Sequence, residues 1–202
     1  GVRDLRRVLL ETPGGPTADH ATPHTHAFAA GQAPDLLHGA EYRRVLARLV
    51  DGALLGLWEE AGARLGLDLT SGVALAVTGS LARRDAGPTS DLDCMLVHDG
   101  KTLSPEQIEE LARALWYPIW DANLDLDHSV RTLAQCRQIA SKDLVAAVGL
   151  LDLRHVAGDA MVVHKARTAV LEDWRGAARR RLPELLASTR ARAERSGDLA
   201  YL

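Results

Sequence analysis

The chain has 202 residues, 47% hydrophobic and 25% charged, with 24 Lys and Arg against 27 Asp and Glu and a formal net charge of −3. That length holds one domain with ornaments or two small ones, and the charge balance lacks the basic excess expected of a dedicated nucleic-acid binder. No stretch approaches the roughly 18 unbroken apolar residues of a membrane span, and residues 1–10, carrying Arg3, Asp4, Arg6 and Arg7, do not read as a secretory signal. Cys94 and Cys136 fit neither a disulfide scaffold nor a zinc pattern, so they read as reduced thiols of a cytoplasmic protein. Aromatic residues make up only 4%, so the core must be Leu, Val and Ala, and base-stacking platforms are not expected.

Residues 1–36 read as a flexible arm. Pro and Gly at the density of 12–17 break periodic structure, and His20, His24 and His26 have no carboxylate or cysteine cluster with them that would make a metal site. Residues 40–66 carry Val45, Leu46, Leu49, Val50, Ala53, Leu54, Leu57, Trp58, Ala61 and Leu65 at helical steps, with Gly66 as C-terminal cap. The unbroken apolar run 73–77 predicts a buried strand, and 92–97 a second. Ser104, Pro105 and Gln107 open a helix with a capping box, reaching about Trp116 before Pro118. The alternation over 123–130 predicts a third strand. Everything after Thr132 reads as helix: 133–139, 144–153 and 160–171, the last capped by Asp159. The basic run from Arg175 to Arg195 reads as a solvated helix face. This order predicts an α+β fold, a small mixed sheet over 37–132 followed by a helical segment over 133–202.

The chemistry is concentrated in residues 79–93. Gly79 and Ser80 follow a strand and open a short turn, where glycine lets a phosphate approach the backbone and helix-start N–H groups point at an anion. Arg83 and Arg84 follow within one turn, within reach of the same phosphates. Asp91 and Asp93, two apart at the start of a strand, place both carboxylates on one face and turn Leu92 into the core. Paired carboxylates repel unless a cation joins them, and Mg²⁺, held by a few carboxylates plus substrate phosphates, is the natural one. A phosphate cradle beside such a site is the layout for phosphoryl or nucleotidyl transfer. Asp125 and Asp127, on the polar face of the third strand, are both candidates for a third carboxylate.

Gly79-Ser80, ten intervening residues and Asp91-Leu92-Asp93 resemble the signature of the DNA-polymerase-β-type nucleotidyltransferase superfamily. Residues 115–121 and 124–132, reading LWYPIWD and LDLDHSVRT, resemble the PII uridylyltransferase/uridylyl-removing enzymes of bacterial nitrogen control in their actinobacterial form, and residues 195–202 are similar to the stretch just past the transferase domain of those enzymes. The resemblance spans about 40–202 and implies that the chain is the transferase part of a longer enzyme. It implies nucleotide binding by Gly79, Ser80 and Arg83, Mg²⁺ held by Asp91, Asp93 and Asp127, and transfer of UMP or AMP from UTP or ATP to a tyrosine of a PII signalling protein. Other acceptors, glutamine synthetase or a small molecule, and a non-catalytic PII-docking or nucleotide-sensing module are the alternatives. The cradle departs from the family's glycine-rich form: it reads GSLARRD, with Arg83 retained.

Overall fold

The computed structural model describes residues 39–87 and 90–196, with side chains as far as Glu194. The arm over 1–36 with its three histidines, Pro88 and Thr89, and the terminal run 197–202 lie outside the described residues. In chain order the elements are α1 (Ala40–Leu65), β1 (Val73–Val77), α2 (Gly79–Arg83), β2 (Leu92–His98), α3 (Pro105–Asp121), β3 (Leu126–Thr132), α4 (Leu133–Lys142), α5 (Leu144–Leu151), β4 (Arg154–Gly158) and α6 (Ala160–Ser196).

Four strands form one mixed sheet in the order β3-β2-β1-β4. β1 is antiparallel to both its neighbours, and β2 and β3 run parallel, joined by α3 as the crossover that parallel pairing requires. β1 is buried along its whole length, as its unbroken apolar run demands. Side-chain alternation then divides the core in two. Val73, Leu75, Val77, Leu92, Cys94 and Leu96 face α1 and α3, whereas Ala74, Ala76, Met95 and Val97 face α4, α5 and α6. The sheet is thus covered on both sides.

Local chemistry sets most of the boundaries. Gly66 ends α1 in the left-handed conformation, its N–H donating to the Gly62 carbonyl. Ser104 and Gln107 form the expected capping box at α3, and Thr132 and Gln135 form a second at α4. Asp159 accepts the N–H of Met161 at the start of α6.

Three expectations are corrected. α3 does not stop near Trp116 but runs through Pro118 to Asp121. A proline this close to the helix end removes one backbone hydrogen bond, and buried Ile119 holds the extra turn in the core. The stretch after Thr132 is not all helix, because β4 adds to the open edge of β1 with a register irregularity between Leu75 and Ala76. α6 continues to Ser196, carrying the basic run as a mostly exposed face. Arg181 is the exception: it is 8% exposed, stacks on Trp174 at 5.6 Å and donates to the Ala140 carbonyl at the end of α4.

Candidate active site

The turn from β1 to β2 is built around one close approach. Thr78 donates its backbone N–H to the Asp93 carbonyl at 3.0 Å, so the chain leaving β1 stays against the start of β2. Gly79 follows with φ +57°, and a Cβ there would stand 2.6 Å from Oδ2 of Asp93. Glycine is required twice over, by its backbone and by the carboxylate beside it. Thr78 gives α2 no side-chain cap, so the first-turn amides of Gly79 and Ser80 have no side-chain acceptor.

Asp93 pairs in register with Asp127 across the parallel β2–β3 ladder, while Leu92 pairs with Leu126 and turns into the core with 4% exposed. The two aspartates therefore sit on adjacent strands about 4.8 Å apart and face the same way. Burial, then Asp127, then Asp91 push the Asp93 carboxyl above the ordinary carboxylate range, and Arg83 only partly offsets them. Asp91 is exposed just before the strand and reaches Asp93 through its field. Asp125 lies outside β3 and its carbonyl accepts the Leu92 N–H, which helps to fix the register.

A cleft of about 330 Å³ opens here, lined by Thr78, Gly79, Asp93, Asp127, Ser129 and Arg131, with an apolar wall that includes Ile139, Val145 and Leu150 of α4 and α5. Asp127 lines it; Asp125 does not. Among the described residues, no three His, Cys, Asp or Glu side chains converge as a ready-made metal cage. A crowded carboxylate short of positive charge nevertheless fits Mg²⁺, which takes one or two carboxylates and completes its shell with water and substrate phosphates. Burial pushes the Cys94 thiol up to about 12 and that of Cys136 to about 11, so both stay protonated, unlike a nucleophilic cysteine.

Arg83 is half-exposed and held by two carboxylates, Asp152 at 2.7 Å and Asp85 at 3.1 Å, of which Asp152 does most to raise its pKa. Arg84 turns away and faces Asp51 at 3.8 Å. Sequence reasoning missed the brace beneath α2. The Arg154 guanidinium donates to both carboxylate oxygens of Asp51, at 3.0 and 2.8 Å, and to the carbonyls of Leu81 and Ala82. It ties α1, α2 and β4 together behind the cleft. A single arginine in an unpredicted strand gives no periodic signal. Sequence reasoning also left Arg131 without a role; it lines the cleft with no ion-pair partner among the described residues.

A backbone cradle, carboxylates on adjacent strands and a cleft between sheet and helices define a nucleotidyltransferase, and residues 27–120 match the family described as "Putative nucleotidyltransferase DUF294". The chain is a nucleotidyltransferase domain, and it is similar to part of proteins named bifunctional uridylyltransferase/uridylyl-removing enzyme. Its relatives under that name include one from Streptomyces coelicolor, 46% identical over 81% of this chain and 19% of the relative, and one from Mycobacterium tuberculosis, 44% identical over 67% and 17%. One from Corynebacterium glutamicum is 45% identical over 67% of this chain and 19% of its own length. The chain thus spans about a fifth of the length of these relatives. Among the described residues, no helix is long and apolar enough to cross a membrane.

Proposed function

We propose that this domain transfers UMP or AMP from UTP or ATP to a tyrosine of a PII nitrogen-regulatory protein in the cytoplasm, with Mg²⁺ as its metal. The observation that carries this reading is the opposition of Asp93 and Asp127 beside the Gly79 backbone in one cleft. The names of the relatives support a uridylyl group, and the residues 115–132 that resemble that family support its acceptor.

In this reaction the tyrosyl oxygen forms a bond to the α-phosphorus. The bond from the α-phosphorus to the oxygen bridging to the β-phosphate breaks, and pyrophosphate leaves with the electron pair. The tyrosyl proton passes to a carboxylate or to water. Gly79 and Ser80 hold the triphosphate on first-turn amides, and Arg83 exchanges a carboxylate partner for a phosphate oxygen. Asp93 and Asp127 would hold Mg²⁺, with Asp91 turning in from just before β2 to join them, and the metal would supply positive charge against the α-phosphate and the leaving pyrophosphate. The apolar wall from α4 and α5 bounds the cleft on one side.

The test is Mg²⁺-dependent transfer to PII from labelled UTP, ATP and CTP. Incorporation from UTP or ATP, lost in Asp93→Asn, is expected. No incorporation from any nucleotide, or full activity in Asp93→Asn, overturns the reading.

A further inference from the structure

Beyond the cleft, the structure carries a second concave surface on the opposite face of β3. A groove of about 380 Å³ runs between α3 and that strand, walled by Trp116, Tyr117, Trp120, His128 and Val130. The His128 ring packs 5.4 Å from Trp116 and 5.1 Å from Trp120, and Tyr117 meets Trp120 edge-on at 5.6 Å. Tyr117 is 56% and Trp120 43% exposed, a large share of the few aromatics in the chain. Aromatic clusters left open on a surface mark interaction sites. Trp116 is 3% exposed, and among the described residues its buried indole N–H has no acceptor.

The strand beside this groove is also incomplete. Among the described residues β3 pairs with β2 alone, so its outer N–H and C=O groups have no strand partner. An extended peptide added there supplies those hydrogen bonds, and its alternate side chains fall on the two faces of the sheet. Those on one face enter the aromatic groove; those on the other enter the cleft beside Asp127. The strand begins among exposed carboxylates, Asp121, Asp125 and Asp127, which favours a basic segment.

We propose that the outer edge of β3 and the Trp116–Trp120–His128 groove dock a basic, extended segment of the acceptor protein. The segment adds as a strand to β3, with its acceptor hydroxyl on the cleft face and the neighbouring side chain in the groove. This rests on the protein-acceptor reading above.

The experiment uses the intact chain with PII as acceptor and compares wild type with Trp120→Ala and Tyr117→Ala, both exposed enough to be replaced without opening the core. In each variant KM for PII should rise about tenfold, the scale of a buried aromatic anchor, with KM for the nucleotide and kcat at saturating PII unchanged. The amides of residues 126–132 should gain hydrogen-exchange protection when PII binds. Transfer by wild type with acceptor KM within twofold in both variants, or no protection of β3, overturns the docking proposal alone. No transfer by wild type overturns the acceptor reading and this proposal with it. A change in sedimentation in Trp120→Ala with unaltered acceptor KM would make the groove a self-association surface, and would also overturn it.

Discussion

Replacing Gly79 by alanine separates the two demands made on that position. The first is backbone strain: φ +57° is open to glycine, and a Cβ there costs roughly 1–2 kcal/mol. The second is the carboxylate. The new Cβ would stand 2.6 Å from Oδ2 of Asp93, where ordinary contact begins at 3.4 Å, so the carboxylate must retreat by the difference, about 0.8 Å. Misplacing a reacting or ligating group by about 1 Å costs on the order of 100-fold in rate. Gly66→Ala is the matched control, since Gly66 has φ +63° and no atom within 4 Å of a built Cβ. Both variants should lose about 2–8 °C in Tm, at about 2–4 °C per kcal/mol for a domain of this size. Only Gly79→Ala should also lose kcat, by about 100-fold, read in a steady-state nucleotide transfer assay at saturating nucleotide and metal. Retention of kcat within about threefold in Gly79→Ala would refute the argument that Gly79 exists to admit the Asp93 carboxylate. An equal loss in Gly66→Ala would trace the effect to general destabilisation instead.

Asp93→Asn should inactivate the enzyme and raise its Tm near neutral pH. Burial and the facing Asp127 hold the Asp93 carboxyl above its ordinary value, so between that value and the raised one the folded state binds more protons than the unfolded. Wild-type stability therefore falls as pH climbs through that window, and the variant's advantage should fade below it; differential scanning calorimetry from pH 3 to 8 reads this, and a Tm advantage that grew on acidification would contradict it. Asp127→Asn should lower the Asp93 titration midpoint in carbon-detected NMR, and an unmoved midpoint would mean that the two carboxylates do not sense each other. Arg154→Met breaks the Asp51 pair and frees the Leu81 and Ala82 carbonyls, at a cost of about 1.5–3 kcal/mol in urea unfolding. Thr132→Ala removes the α4 capping box at about 1 kcal/mol by the same measurement, with unchanged transfer kinetics.

The elements that position the cleft were legible because each carried a local signal. The apolar run of β1 and the Gly79-Ser80 break after it need only the sequence and the period of a strand, whereas the shared strand face expected of Asp91 and Asp93 is not formed, because β2 begins at Leu92. β4 carried no such signal. Its five residues begin with Arg154 and His155, whose roles depend on Asp51 and on the Gly158 carbonyl, 103 and 3 positions away in the chain. A partner as distant as Asp51 is invisible to periodicity. The helix ends were misjudged for a related reason. Pro118 is a local breaker, but it lies inside a helix that tertiary packing carries past it to Asp121. Between Asp125 and Asp127, alternation could not choose, since both have the same parity. The pairing of Leu92 with Leu126 sets Asp127 opposite Asp93 and leaves Asp125 before the strand, which favours Asp127.

That pairing has a wider consequence for how much one short strand does. On β3, Asp127, Ser129 and Arg131 line the cleft, whereas Val130 packs toward the core of α1 and α3 and His128, at the border of cleft and groove, meets Trp116 and Trp120. The two sets alternate along seven residues, so neither can change independently of the other. A one-residue slip would turn Asp127 onto the aromatic groove, losing the carboxylate opposite Asp93 and setting a charge against indole rings. The fold guards against this at both ends of the strand. The Leu92 N–H grips the Asp125 carbonyl at 2.9 Å before β3 begins, and the Thr132–Gln135 capping box locks the first residue after it into α4. The net charge of −3 says nothing of this arrangement. What lets an acidic chain handle a polyanionic nucleotide is that register brings Asp93 and Asp127 together at one end of the sheet. There they create a local demand for a cation, which a nucleotide arriving with its metal would meet on the function proposed above.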